Sequence, residues 1–404
     1  MTQRLSYGWV VLGAAFVIVT MAIGTLFSLA VFLRPLEEAM GWARSSVSAV
    51  ALMNWIAMGM GSFAAGYLSD RFGTRRVVMA GGVLVGGGLI LSGRVDALWQ
   101  FYATFGVLVG FGVSCFYVPL TVTAIRWFEH RRGLAASIVS SGNGLGTLAL
   151  APLTRWLINA YDWRMAFLVL GELALLVVIS MALLLRPAPS QAPNAGAASA
   201  RVTPRAIWTS WAFWAIALTH FACCAAHSGP IFHMVTHAME QGVPALAAAG
   251  ALGISGLTSI VGRVGTGMIA DRIGAKPTLV AGLLLQAPTI FLYVFPTGPG
   301  ALYALAMIFG VGYGSVMPLY AVVTREYFGE RAIGTAYGGI FFISCIGMGL
   351  GSYAGGIIHD VLGSYLWLFL GSGIVATMAI LLGASFRPPG RRFDTREAAA
   401  AFPR

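Results

Sequence analysis

Charged side chains are scarce in this chain of 404 residues, in which only 10% of the positions are Asp, Glu, Lys or Arg. A soluble globular protein carries about 25%. Hydrophobic residues make up 58% of the sequence, and the mean hydropathy is +0.81. Because too few charges remain to cover a water-exposed surface, the composition predicts that lipid surrounds most of the protein.

Cysteine is also rare, and its positions do not resemble a ligand set. All four cysteines lie inside apolar runs, which favours free thiols that pack as small hydrophobic groups over a disulfide framework or a metal site. We therefore expect no metal and no cofactor. No cleavable signal peptide is recognised, because the first apolar run is too long and lacks an A-x-A-like end.

Catalytic and nucleotide-binding motifs are missing as well. The sequence contains no G-x-S-x-G, no H-E-x-x-H, no Walker loop and no dinucleotide fingerprint after a strand. We expect that the protein is not an enzyme. The missing phosphate loop also argues against a built-in ATPase, which leaves a gradient of an ion or solute as the energy source.

Twelve apolar runs follow one another along the chain, and a run of about 20 residues crosses a bilayer as a helix. A stretch rich in Pro, Ala and Ser at 187–206 predicts a flexible cytoplasmic linker, and 387–404 predicts a basic cytoplasmic tail. The predicted runs are 7–33, 45–68, 77–93, 98–125, 133–158, 163–185, 207–238, 244–270, 276–295, 299–324, 332–358 and 364–386.

The distribution of arginine orients these runs. The net charge is +11, but the cations are scattered through short loops without aromatic interleaving, so they indicate a positive-inside bias and not nucleic-acid binding. Most of them fall on the side of the two termini, which are therefore predicted to be cytoplasmic. Because Lys276 is the single lysine, the composition also suggests a GC-rich bacterial genome, and hence the inner membrane.

A charged motif, G-x-x-x-D-R-x-G-x-[RK], occurs twice between apolar runs. The aspartate of the second copy lies 201 positions after that of the first. Two equivalent charged turns imply two equivalent bundles that can rock around a site between them, so we interpret the turns as gating loops. Their residues are Gly66, Asp70, Arg71 and Gly73 in the first copy and Gly267, Asp271, Arg272 and Gly274 in the second.

The repeat extends beyond the charged turns, since the segment 110–128 resembles the segment 310–328. We therefore predict an all-α membrane protein of twelve transmembrane helices in two pseudo-symmetric six-helix halves, at 1–186 and 207–386. Such parallel repeats are one of the architectures of secondary transporters.

The repeated turn is similar to the signature loop of the major facilitator superfamily, and the resemblance covers the whole chain. A finer similarity is to the monocarboxylate transporter and oxalate–formate antiporter branch. The resemblance implies secondary transport of a small organic anion by alternating access, with symport or antiport of a proton or counter-anion. It rests on Phe32 to Leu36, Gly41 to Ser45, Trp127 and Phe128, Arg131 to Ala135, Ala151 to Leu153, Trp163 and Arg164, and Gly262 and Arg263.

Arg263 is the outstanding polar residue of the apolar runs. It lies eight positions before Asp271, about 12 Å along a helix from the charged turn. A guanidinium at that depth should face the protein interior, and its planar fork suits bidentate binding of a carboxylate. The resemblance favours this role, since family members place an anion-binding arginine here. The alternative is an arginine that snorkels to the interface or pairs structurally.

The chain also departs from the family pattern. Animal monocarboxylate transporters have an acidic residue one turn before this arginine and a lysine in the first helix, where this sequence has Ser259 and Phe27. Oxalate-type antiporters add a lysine in the eleventh helix, but the run 332–358 contains no cation. With one buried cation, the substrate is expected to be a monoanion, unless loops or a proton neutralise a second charge.

If transport is coupled to protons, another group must titrate. His220 and His227 are candidates because they lie seven residues apart on one helix face and histidine changes charge near neutrality. Glu172 is a third candidate, since it is the carboxylate well inside an apolar run. Each of the three has a structural alternative, packing or hydrogen bonding. His233 and His237 are expected at the membrane interface.

Several polar side chains are candidates for the substrate cavity beside Arg263. Hydroxyl and amide groups bind a carboxylate, while aromatic rings enclose an apolar tail. Each of these residues has packing as its alternative role. They are Ser114, Tyr117, Asn143, Tyr313, Tyr320 and Tyr337.

Two other functions remain open at this stage. The same fold would suit an exporter of hydrophobic compounds or an importer of a metabolite without a carboxylate. A membrane sensor that binds a ligand without moving it is an alternative of another class. We expect a monomer in the bilayer in each case.

Overall fold

The protein is a bundle of long helices in the computed structural model, which describes residues 2–128, 132–187, 207–295 and 298–386. The predicted linker, apart from residue 187, and the predicted tail lie outside those residues. The first helices are α1 (Thr2–Phe27), α2 (Leu29–Met40), α3 (Arg44–Phe72), α4 (Thr74–Ser92), α5 (Leu98–Phe101), a π-helical segment (Tyr102–Val109), α6 (Gly110–Ser114), α7 (Tyr117–Trp127), α8 (Arg132–Ala160) and α9 (Trp163–Leu183). They are followed by α10 (Trp211–Glu240), α11 (Ala245–Ile273), α12 (Ala275–Leu292), α13 (Pro299–Val316), α14 (Leu319–Leu362) and α15 (Leu366–Ser385).

Ten stretches of helix in the described part of the chain are long and apolar enough to cross a membrane. The two remaining predicted runs, 45–68 and 133–158, are occupied by α3 and α8, which have 29 residues each. The ten stretches are Tyr7–Met40, Thr74–Ser92, Leu98–Ala124, Trp163–Leu183, Trp211–Glu240, Ala245–Ala270, Ala275–Leu292, Pro299–Phe328, Ala336–Leu362 and Leu366–Ser385.

Two predicted runs contain a two-residue turn, although each remains a single membrane-length stretch of helix whose backbone angles at the turn stay in the α region. The turn in the run 98–125 lies at 115–116, between α6 and α7, and the turn in the run 299–324 lies at 317–318, between α13 and α14. Pro318 lies in the second turn, where proline removes a backbone donor from the helix.

The two charged turns share one backbone geometry. Gly73 follows α3 with φ of 86° and ψ of 141°, and Gly274 follows α11 with φ of 95° and ψ of 154°. Side chains other than hydrogen are rarely tolerated at positive φ of this kind, so both positions require glycine. The turns are structurally equivalent, as the repeated motif predicts.

Helices α8 and α11 cross with their backbones in contact at a pair of glycines. A Cβ atom built on Gly144 would lie 2.3 Å from the carbonyl oxygen of Gly256, and one built on Gly256 would lie 2.6 Å from that of Gly144. Small residues at a helix crossing allow such close approach in a membrane. The crossing holds Ser140 of α8 opposite Arg263 of α11.

We expect Gly144→Ala to destabilise the protein, because the new methyl group has no space and the two helices must separate. Overpacking of this kind costs about 1–3 kcal/mol. The melting temperature of the purified protein in detergent would measure the loss. Gly87→Ala on α4 is the matched control, since a Cβ atom there meets nothing within 4 Å. Equal melting temperatures for the two variants would contradict the close contact.

Candidate substrate site

A cavity of about 60 Å³ lies inside the bundle. Helices α1, α3, α7 and α8 contribute to one part of its wall, and α10, α11, α13 and α14 contribute to another. The lining combines apolar side chains with polar groups, so the cavity offers both kinds of contact to a small amphipathic molecule. The apolar side chains include Ile23, Phe27, Trp55, Met58, Phe341 and Met348.

Arg263 lines this cavity and is fully buried, with 0% of its surface exposed. Its Nη1 donates a hydrogen bond to Ser140 Oγ over 2.8 Å, and its guanidinium carbon lies 5.3 Å from the centre of the Tyr313 ring. Its Nε and Nη2 atoms have no partner among the described residues. A buried cation with unpaired donors is unfavourable by itself and is stabilised by an anionic ligand.

Four other residues predicted for substrate binding line the same cavity. Tyr117 of α7 stacks on Phe341 of α14, with ring centroids 6.0 Å apart and 10° between the planes. Asn143 Oδ1 is buried and finds no partner in the described part of the protein. Tyr313 and Tyr337 complete the set. The structure therefore brings these residues together around one space, while their binding roles stay predictions.

Both predicted histidines of α10 also line the cavity and are buried. The His220 ring stacks on Tyr320 at a centroid distance of 3.8 Å, and Tyr320 itself does not line the cavity. His227 Nδ1 lies 3.8 Å from Cys223 Sγ. His220 Nδ1 and His227 Nε2 are without partners among the described residues, so either nitrogen is free to contact a ligand or a water molecule.

Besides Tyr320, two predicted site residues lie away from the cavity. Ser114 is buried between α6 and α3, where its hydroxyl donates to the carbonyl of Phe111 over 2.6 Å and packs against Gly61. Glu172 is exposed on α9, because the neighbouring Gly171 is the residue that packs against α4. Neither position supports the predicted role in substrate binding or proton coupling.

A group of charged side chains at one end of the bundle was not recognised in the sequence. Arg44 is 8% exposed, and its Nε donates to Glu37 over 2.6 Å while its Nη1 donates to Glu240 over 2.5 Å and to the Tyr365 hydroxyl over 3.0 Å. His359 Nε2 lies 3.1 Å from the same Glu240 oxygen. We call these five residues the Arg44 cluster. It joins the start of α3 to the ends of α10 and α14 and the start of α15.

The backbone of the next residue adds a further link at this end, since the amide of Ser45 donates to Asp360 over 2.9 Å. Because α3 runs from Arg44 to the charged turn at Gly73, the Arg44 cluster lies at the opposite end of the bundle from that turn. The only signal in the sequence was the presence of acidic residues near the ends of several apolar runs.

The expectation that His233 lies at the membrane interface stays a prediction, and the structure shows where the His233 side chain packs. It is fully buried beside the Arg44 cluster, where Nδ1 lies 3.2 Å from the Tyr365 hydroxyl and Nε2 lies 2.9 Å from the carbonyl oxygen of Ser352. The reason is that α10 continues to Glu240 and remains covered by α14 and α15. His237 is partly buried, with Nε2 3.2 Å from the carbonyl oxygen of Tyr293.

The charged turns present exposed cations at the other end. Arg71 and Arg272 are exposed, and the Arg71 guanidinium lies 5.4 Å from the ring centre of Phe72. Gly267 is partly buried and faces Ser137 of α8 across the α8–α11 crossing. The side chains of Asp70 and Asp271, and the environment of Gly66, lie outside the described part of the structure. The gating role of these turns stays a prediction.

The helix pattern, the repeated turn and the central cavity agree with a comparison to protein families. The model of the Major Facilitator Superfamily matches residues 12–352, with a second match at 264–402. The chain belongs to this superfamily. It is therefore a multi-pass integral membrane protein and a transporter, which confirms the expectation that it is not an enzyme.

Relatives with curated names support the finer resemblance. Monocarboxylate transporter 13 of Bos taurus is 31% identical over 385 residues, which cover 92% of this chain and 89% of the relative. Monocarboxylate transporter 11 of Homo sapiens is 29% identical over 396 residues, covering 94% and 82%. This transporter thus resembles the monocarboxylate branch of the superfamily.

Solved structures of distant members share the fold. A bacterial homolog of the human lysosomal transporter Spinster, in an inward-facing and unoccupied conformation, has a TM-score of 0.72 at 15% identity and covers 94% of this chain and 98% of that one. The nucleoside transporter NupG has a TM-score of 0.73 at 13% identity and covers 94% and 100%. At such identities the likeness concerns the fold alone.

Proposed function

We propose that this transporter moves a small organic monoanion, a monocarboxylate, across the membrane by alternating access. The single observation that carries the proposal is the buried guanidinium of Arg263 with two unpaired nitrogens at the cavity. Among the described lining residues, Arg263 is the one with a permanent charge. One carboxylate would balance that charge, and the names of the relatives at about 30% identity point to the same class of substrate.

The rest of the lining suits the remainder of such a substrate. Hydroxyl groups of Tyr117, Tyr313 and Tyr337 and the amide of Asn143 are available to the carboxylate or to a polar substituent. Phe27 and Trp55, which also line the cavity, provide contact for a short apolar tail.

The proposed architecture is that of twelve transmembrane helices in two six-helix halves, with both termini in the cytoplasm of a bacterial cell and one monomer as the working unit. The cavity then lies between the halves, and the Arg44 cluster closes its periplasmic side. A proton or a counter-anion is the coupled species. His220 and His227 are the candidates for the proton, because both are buried at the cavity with an unpaired ring nitrogen.

Uptake by proteoliposomes tests the proposal. Wild-type protein should accumulate one or more of radiolabelled acetate, lactate and benzoate, and an inward-directed proton gradient should increase the initial rate if transport is proton-coupled. Liposomes without protein correct for diffusion of the undissociated acids. Uptake that equals this background for all three compounds, with and without the gradient, would reject carboxylate transport.

The apolar part of the lining favours one rival, an exporter of neutral hydrophobic compounds. A thermal-shift panel on the purified protein separates the two functions. Monocarboxylates should raise the melting temperature if the proposal holds, and their amides, which have the same shape without the charge, should not. Stabilisation by neutral compounds alone would favour the rival. A non-transporting sensor would show binding of the carboxylates without uptake.

A further inference from the structure

Arg263 donates a hydrogen bond to a residue on the other helix of the α8–α11 crossing. Ser140 of α8 is 3% exposed, and its Oγ accepts a hydrogen bond from Arg263 Nη1 over 2.8 Å. The bond is charge-assisted, which makes it stronger than a bond between neutral groups. Ser140 is not among the residues that line the cavity.

The guanidinium nitrogen that donates to Ser140 determines which other donors of Arg263 remain unpaired. Nε–H and one N–H of Nη2 point in the same direction and form an edge that binds both oxygens of a carboxylate. These are the two nitrogens without a partner among the described residues. The hydrogen bond at Nη1 therefore leaves one complete bidentate edge of the guanidinium unpaired.

We propose that Ser140 is a positioning residue, which fixes the Arg263 guanidinium so that its Nε–Nη2 edge receives the carboxylate. This inference rests on the proposed function and adds a residue that does not contact the substrate. Tyr313 supports the same orientation from the ring face, 5.3 Å from the guanidinium carbon.

The backbone around Ser140 is held tightly enough for this role. Gly144 lies one helical turn after Ser140, on the same face of α8, and contacts Gly256 of α11. The same Cβ position of Gly144 lies 2.7 Å from the Ile260 side chain and 2.8 Å from Ser259 Oγ, one turn before Arg263. The distance between Ser140 and Arg263 is thus set by a close helix contact and not by a flexible loop.

Without the Ser140 hydroxyl, the guanidinium loses the contact that distinguishes Nη1 from the other nitrogens. The guanidinium then samples orientations in which the Nε–Nη2 edge does not face the cavity. Binding of a carboxylate must restore the orientation in which it does, and this lowers the affinity. Binding of a carboxylate weakens, whereas a neutral molecule that does not use the edge is unaffected. The positive charge itself is unchanged.

The test uses full-length protein in proteoliposomes and, as probe, the acid among acetate, lactate and benzoate that the wild type takes up fastest. We expect Ser140→Ala to raise the KM about tenfold, as for loss of a hydrogen bond to a charged group, with a maximal rate within about twofold of wild type. Ser140→Thr, which keeps a hydroxyl, should restore most of the affinity.

Ser141→Ala is the matched control, because Ser141 is also buried but its hydroxyl donates to the carbonyl of Ser137 in its own helix over 2.7 Å. This variant should have the KM of the wild type. The maximal rate and the melting temperature of the ligand-free protein give a second readout, which Ser140→Ala should leave close to those of Ser141→Ala. A merely structural role would lower the maximal rate and the melting temperature as well as the affinity.

The outcomes separate the two proposals. If the wild type takes up the acid and Ser140→Ala has the same KM, the positioning role is wrong while carboxylate transport stands. A raised KM that Ser140→Thr does not lower would also overturn the role, since the hydroxyl would not be the cause. If the wild type takes up none of the three acids, the proposed function fails and the role of Ser140 fails with it.

Discussion

Arg263→Ala and Arg263→Lys are both expected to lose carboxylate uptake. Alanine removes the charge and every donor at the cavity, so the carboxylate would enter a buried site without a cation. Loss of one partner of a buried charge pair costs about 2–5 kcal/mol, so we expect uptake at low substrate concentration to fall about 30-fold or more. Initial rates in proteoliposomes measure the effect.

Lysine is expected to be nearly as damaging, although it keeps the charge. Its ammonium group is a single point donor on a flexible chain, and it cannot present two parallel N–H groups at the position of the Nε–Nη2 edge. The hydrogen bond to Ser140 would be lost, or the single ammonium group would have to bind both Ser140 and the carboxylate. The comparison of the two variants therefore separates the need for charge from the need for the planar fork.

Arg94→Ala controls for loss of an arginine, because Arg94 is exposed and does not line the central cavity. It should transport as the wild type does. Unimpaired uptake by Arg263→Ala at low substrate concentration would reject the anchor role. An active lysine variant with an inactive alanine variant would retain the charge requirement but reject the bidentate geometry.

The second large effect is expected at the Arg44 cluster. Arg44→Ala leaves Glu37 and Glu240 close together without the cation that both contact. Repulsion between the two carboxylates then disfavours the closed form, in which the Arg44 cluster holds α2 and α3 against α10 and α15. A change of 1.4 kcal/mol alters the ratio of closed to open forms about tenfold, and we expect a shift of at least this size.

The natural cysteines report such a shift. Cys224 and Cys345 line the cavity, and a membrane-impermeant thiol reagent applied from the Arg44 side should reach them about tenfold faster in Arg44→Ala than in the wild type. Mass spectrometry of the two peptides distinguishes them from the other thiols. Uptake should fall as well, because a form that stays open on one side does not complete the transport cycle.

Arg164→Ala is the matched control for this experiment. Arg164 also forms an ion pair, with Asp96 over 2.8 Å, but both residues belong to the predicted amino-terminal half, and their side chains are 38% and 80% exposed, respectively. Breaking an exposed pair has little effect on stability, and this pair does not link the two halves. Equal labelling rates in Arg44→Ala and Arg164→Ala would show that the Arg44 cluster does not control access.

The sequence was sufficient for the superfamily and for the central residue of the site. Arg263 was recognisable because a cation is rare within an apolar helix and should face the protein interior. The glycine turns were recognisable because their motif is repeated, and the structure shows positive φ at both Gly73 and Gly274. Tyr117, Asn143 and Tyr313 were found by the same reasoning about polar groups in apolar runs.

What failed was the assignment of helix faces. Ser114 lies three residues before Tyr117, yet Ser114 packs against Gly61 of α3 whereas Tyr117 lines the cavity. Glu172 was placed by its depth in an apolar run, which does not indicate on which side of the helix it lies. In a chain that is apolar on all sides, hydrophobic periodicity carries little information about the interior.

The contacts between distant segments were likewise out of reach. Glu37 and Glu240 are joined through Arg44 only when the ends of three separate helices meet. The apolar residues that line the cavity could not be predicted as such either, because Phe27 and Trp55 are two aromatic residues among many in such a sequence. Ser140 was missed because a serine within an apolar helix ordinarily bonds to its own backbone, as its neighbour Ser141 does.

The paired glycines at the crossing of α8 and α11 have a mechanical consequence. Two helices whose backbones touch cannot approach further, and any side chain added between them would force them apart. Under the proposed alternating access, the contact point would act as a pivot, about which tilting at one end is accompanied by the opposite displacement at the other. A solute bound beside it would be displaced least while the passage on either side of it widens or narrows.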